Sequence, residues 1–194
     1  MTHTRPGARI PAAALAGLLI ILAGCALRYA AVGGDMSFPE YGFALTAPQG
    51  WYQATGPVEL FLITRDGRLL QFIGIQRVEV DKELKFTKRK FDSKMPPHEV
   101  AEVELDNERS EPGVGDFAVE ENAPATLAGR PGFRLVYTWR TPSGLRLRRV
   151  HYGFLDGKWV YRLMYQAAAR YYYEKDLATF ERVRESFKLM GSST

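Results

Sequence analysis

An α+β fold, with an antiparallel β-sheet of about six to seven strands packed by helices, is what the sequence predicts, and two stretches carry the prediction. From Phe133 to Tyr165, apolar and polar residues alternate around two turn signals, Pro142-Ser143-Gly144 and Asp156-Gly157. From Arg170 to Leu189, Tyr173, Leu177, Phe180, Val183 and Phe187 recur at spacings of three and four, an apolar helical stripe that needs a sheet to cover. Composition agrees with one globular domain: of 194 residues 46% are apolar and 12% aromatic, with a net charge of only +4. That excludes a disordered chain, and a single cysteine excludes a disulfide scaffold.

The N-terminus stands apart from this domain. Arg5 and Arg9 lead an uncharged stretch from Ile10 to Gly24, and the first acidic residue is Asp35. The stretch is shorter than the roughly 20 residues a membrane-spanning helix needs and contains Pro11, so residues 1–24 read as a secretory signal. Leu22-Ala23-Gly24-Cys25 resembles the lipobox of bacterial lipoproteins. The resemblance implies cleavage between Gly24 and Cys25, a diacylglycerol thioether and an N-acyl group on Cys25, and attachment to the membrane through that lipid. Several acyl chains on one residue hold a protein at a bilayer where one does not. An unpaired thiol in an exported chain is thereby explained as well. In the enterobacterial sorting pattern, Ala26 after the cysteine favours the outer membrane, facing the periplasm. Residues 25–35, with Val32-Gly33-Gly34-Asp35, read as a lipidated tether.

The elements of the domain, residues 36–190, follow in order. Phe43, Leu45 and Ala47 alternate up to Pro48, and Gly50-Trp51 opens a new segment. Val58 to Thr64, the turn Arg65-Asp66-Gly67-Arg68 and Leu69 to Val80 form a first hairpin. Residues 81–95 carry six Lys or Arg and read as a solvated connection. Pro96-Pro97 and early acids start a helix through His98 to Leu105, which Glu111-Pro112-Gly113 ends. Phe133, Leu135, Tyr137 and Trp139 alternate, Leu145 and Leu147 resume, and Val150, Tyr152 and Phe154 follow in the opposite phase. This predicts a β-bulge at Arg148-Arg149. Asp156-Gly157 as a hairpin turn places Phe154 opposite Trp159, Tyr152 opposite Tyr161 and Val150 opposite Leu163.

Taken together, Gly42-Phe43-Ala44-Leu45 with Pro48 and Trp51, Gly129-Arg130-Pro131-Gly132-Phe133 before a long hairpin, Tyr161 to Tyr165, and a final Glu185-Ser186-Phe187 resemble the α/β sandwich domains of the PsbP and DcrB type. The resemblance covers nearly all of the chain after Cys25. It implies that fold, together with roles such as photosystem assembly or partner binding in the envelope, and no shared catalytic centre.

The residues themselves point away from catalysis. His98-Glu99-Val100-Ala101-Glu102 is similar to a zinc-protease helix motif with its second histidine replaced, and a catalytic zinc needs three protein ligands. No metal site and no cofactor are expected. A Gly-x-Ser-x-Gly elbow and a phosphate-binding loop are absent from the sequence. Removal of Arg5 and Arg9 with the signal lowers the net charge to about +2, too slight an excess for a nucleic-acid partner. Arg140, Arg146, Arg148 and Arg162, with Arg134, fall between the aromatic positions. They are expected on one sheet face, as a surface for an acidic protein or another anionic envelope component. The function expected is that of a lipid-anchored, non-catalytic envelope protein whose domain binds a protein or envelope component. The alternatives are a carrier or sensor of a small apolar ligand held between sheet and helix and, more weakly, a hydrolase.

Overall fold

The computed structural model describes residues 28–55 and 60–191. Their strands are β1 (Arg28–Phe38), β2 (Phe43–Thr55), β3 (Phe61–Thr64), β4 (Gln71–Glu79), β5 (Gly115–Leu127), β6 (Arg130–Arg140), β7 (Arg146–Asp156), β8 (Trp159–Ala168) and β9 (Lys188–Leu189). Two α-helices, α1 (Pro97–Arg109) and α2 (Tyr172–Ser186), interrupt them. One antiparallel sheet takes the order β1-β2-β3-β4-β8-β7-β6-β5, and β9 pairs with β2. The fold class is as expected, with nine strands among the described residues in place of six or seven.

Part of the excess comes from the segment read as tether. From Arg28 onward it is strand β1, paired with β2 from Arg28↔Thr55 to Phe38↔Phe43 around an irregularity between Val32 and Gly34. The small residues that make it look like a linker are tolerated because the strand lies at the sheet edge. The ribbon curls over, so that Phe38 and Phe43 meet Phe61 at ring separations of 4.7 and 6.3 Å, while Phe43 stacks on Phe187. Val58 of the expected first hairpin lies outside the described residues. The rest of that hairpin pairs as β3 and β4.

The phase change in β7 is not a bulge. Strand β7 pairs without interruption with both β6 and β8. Its Val150, Tyr152 and Phe154 enter the core under α2, while Leu147 enters the core under α1. A central strand buried on both faces loses the apolar-polar alternation. The register across the β7–β8 turn is also shifted by two residues. Asp156 pairs with Trp159, Phe154 with Tyr161, Tyr152 with Leu163 and Val150 with Tyr165. The turn residues are Gly157 and Lys158, and Gly157 takes the positive φ of 59° that such a tight loop requires. The aromatic pairing survives: the Phe154 and Tyr161 rings stack at 5.0 Å and 6°.

Helix α2 docks as its stripe predicts. Tyr173, Phe180, Val183 and Phe187 are buried, and the Phe180 ring stacks on Tyr165 at 5.6 Å. The Tyr165 hydroxyl donates to the Tyr172 carbonyl at 2.6 Å. Helix α1 begins at a proline and covers β5, β6 and β7 with Val100, Ala101, Val103 and Leu105. The connection 81–95 is only partly solvated, because Leu84 and Phe91 are buried in the core under α1. Gly132 of the Gly-Arg-Pro-Gly-Phe motif is a packing glycine: a Cβ there would lie 2.1 Å from the Gly153 carbonyl oxygen of β7.

Candidate functional site

Polar residues concentrate first in a seam between α1 and the sheet. Arg162 on β8 donates through Nε to Glu104 Oε1 on α1 at 2.7 Å and through Nη1 to Gln76 Oε1 at 2.9 Å. Arg149 on β7 donates through Nη1 to Glu108 Oε2 at 2.6 Å and to the Tyr137 hydroxyl oxygen at 3.0 Å, and both its other nitrogens reach Gln166 Oε1. Burial pushes the Glu104 carboxyl above the usual carboxylate range, against the pull of Arg162. His151 sits between these arginines with 1% of its surface exposed, its ring edge-on to Phe133 and neither nitrogen hydrogen-bonded. Burial, then the charges of Arg162 and Arg149, hold its pKa well below the usual value.

A general base needs a path to substrate and an orienting partner, and His151 has neither. His98 is exposed on the first turn of α1, and Glu102 accepts from Asn122 Nδ2 at 2.9 Å. Ser143 exchanges a hydrogen bond with Thr141 within the β6–β7 loop, as its turn reading requires. Among the described residues no three His, Cys, Asp or Glu side chains are placed to hold a metal ion. The acids and bases of the seam tie a helix to a sheet.

The arginines expected on one face are divided. Arg162 lies under α1, nearly buried. Arg148 lies on the opposite face, its guanidinium 4.3 Å from the Tyr173 ring centre and paired with Glu120 and Glu174. Arg140 and Arg146 are cross-strand partners at the end of the β6–β7 hairpin. Arg140 is paired with Asp116 at 2.9 Å, whereas Arg146 is exposed and has no ion pair among the described residues. Both sheet faces carry aromatic residues, so alternation with aromatics does not assign an arginine to one of them. Cys25 and Gly24 lie outside the described residues.

Two surface features remain. An open groove of about 320 Å³ is lined by Phe38, Tyr41, Phe43, Phe61, Ile75 and Arg77, where the β1–β2 ribbon curls over β3 and β4. The space between the sheet and α2 is filled by Tyr165, Tyr173, Phe180 and Val183, so an apolar ligand has no room at the place the carrier reading gave it. The second feature is the end of the sheet where the β3–β4, β6–β7 and β8–α2 connections meet. It exposes Leu69 (77%), Tyr171 (67%) and Leu145 (39%) among Arg68, Arg146 and Arg170. Arg68 and Arg170, like Arg146, have no ion pair among the described residues. Single apolar residues in three loops far apart in sequence have no periodicity to reveal them.

Among the described residues no helix is long and apolar enough to cross a membrane. No family model matches the chain, and no curated protein matches it. Solved structures do. The solution structure of cyanobacterial PsbP (CyanoP) from Synechocystis is similar over 80% of this chain and 91% of its own, with a TM-score of 0.56 at 12% identity. The Saccharomyces cerevisiae Ran-binding protein Mog1p is similar over 87% of this chain and 98% of its own, with a TM-score of 0.55 at 8% identity. A Bacteroides thetaiotaomicron protein matches over 84% of this chain and 50% of its own, with a TM-score of 0.52 at 9% identity. At such identities the likeness speaks for architecture alone. The chain has a PsbP-like α/β sandwich fold, an antiparallel sheet carrying one helix on each face.

Proposed function

We propose that the chain is a lipid-anchored, non-catalytic protein of the bacterial envelope whose domain binds a protein or another envelope component. The anchor is the lipid on Cys25, and the location is the outer membrane facing the periplasm. The observation that carries the binding reading is the end of the sheet where Leu69 and Tyr171 stand largely exposed among Arg68, Arg146 and Arg170. Exposed apolar side chains beside cations without carboxylate partners are what a contact surface leaves open in the free protein. Mog1p, of the same fold, is described as Ran-binding, which supports a binding role for this architecture.

Replacement of Arg68, Arg146 and Arg170 together by Gln tests the reading. Pull-down of the variant from detergent-solubilised envelopes should lose components that the parent retains, while the melting temperature stays unchanged. An identical set of co-purifying components would contradict it. A second reading, carriage of a small apolar ligand, is favoured by the aromatic groove at Phe38, Tyr41, Phe43 and Phe61.

A further inference from the structure

We propose that the exposed end of the sheet is a second membrane contact, docking on the anionic headgroup layer of a bilayer. The proposal rests on the reading of this end as the contact surface and names its partner. Three connections are knit together there by backbone hydrogen bonds. The Ala168 N–H donates to the Leu70 carbonyl at 2.9 Å, and the Ala169 N–H donates to the Arg146 carbonyl at 2.9 Å. Lys175 links them to the helix: its ammonium pairs with Asp66 at 2.6 Å and lies 5.7 Å from the Tyr171 ring centre. The tips of β3–β4, β6–β7 and β8–α2 thus form one surface, with Leu69, Leu145 and Tyr171 as its exposed apolar side chains.

Charge selects the partner. The acids at this end already have partners: Asp66 has Lys175, Asp176 has Arg65, Asp116 has Arg140, and Glu174 shares Arg148 with Glu120. Arg68, Arg146 and Arg170 are left over, and Arg146 faces a second cation across the strand pair, Arg140. Tyr171 is 67% exposed, and its backbone φ of 135° is a conformation unfavourable for a bulky residue. Separate apolar tips interspersed with cations suit a soft layer that admits each side chain on its own. Leu69 would enter at the acyl boundary, Tyr171 would lie at headgroup depth, and the guanidiniums would pair with lipid phosphates.

The full chain is reconstituted in vesicles of phosphatidylcholine alone and of phosphatidylcholine with phosphatidylglycerol, and hydroxyl-radical oxidation of Leu69 and Tyr171 is read by mass spectrometry. With phosphatidylglycerol, oxidation of both should fall by about threefold or more, and added salt should restore it. Tyr41, half exposed in the aromatic groove, serves as the internal reference. The Arg68→Gln, Arg146→Gln, Arg170→Gln variant should lose the protection. Equal oxidation in the two vesicle types overturns the proposal, as does protection that appears only when envelope proteins are added. If oxidation is equal but the same variant still loses co-purifying components in detergent, the lipid partner fails while the contact surface stands.

Discussion

Arg162 Nε and Glu104 Oε1 are 2.7 Å apart, with 11% and 1% of their side chains exposed. This pair fastens α1 to β8, two elements far apart in sequence. Removing one partner of a buried pair leaves a charge without compensation, at a cost of about 3–5 kcal/mol, whereas an apolar pair of similar volume is often neutral. Glu104→Met and Arg162→Met should therefore each lower stability by about that amount, and the variant carrying both should recover most of it. Denaturant unfolding of the four proteins of the cycle measures the coupling. Additive losses would show that the pair is not formed.

Acid should weaken the fold through His151. Its folded pKa lies well below its unfolded value of 6.5, so below that pH the unfolded state binds the extra proton. Stability present at neutral pH is then lost as pH falls from 6.5 towards the folded pKa, by up to about 1.4 kcal/mol per pH unit. Glu104 acts in the opposite sense, because a raised folded pKa favours the fold at lower pH. The difference between the parent and His151→Met isolates the histidine. Melting curves at pH 7, 6 and 5 should separate increasingly in favour of His151→Met, and parallel curves would contradict this account.

Phe180 is fully buried between α2 and the sheet, so Phe180→Ala should cost about 3–5 kcal/mol. Arg182→Ala, exposed on the same helix, is the control. Indistinguishable melting shifts for the two would mean that the helix does not dock on Tyr165.

The stripe from Tyr173 to Phe187 and the hairpin β3–β4 were legible because periodicity and turn residues act locally. Strand β1 was not, since Ala30, Ala31, Gly33 and Gly34 have little strand propensity and are held by pairing with β2. The faces of Arg148 and Arg162 depend on two helices packing on opposite sides of one sheet, which made β7 apolar on both faces and disguised its alternation. The same packing hid the buried seam: Glu104, Glu108, Arg149 and Arg162 read in sequence as ordinary surface charges. Leu69 and Tyr171 become neighbours of Arg146 only when three connections converge.

The proposed lipid on Cys25 would hold the domain at the envelope, and incorporation of radiolabelled palmitate in cells measures it directly. The parent chain should be labelled and recovered in the membrane fraction. Cys25→Ser should take up no label and should be released from the membrane or left unprocessed. Equal labelling of the two chains would contradict the account.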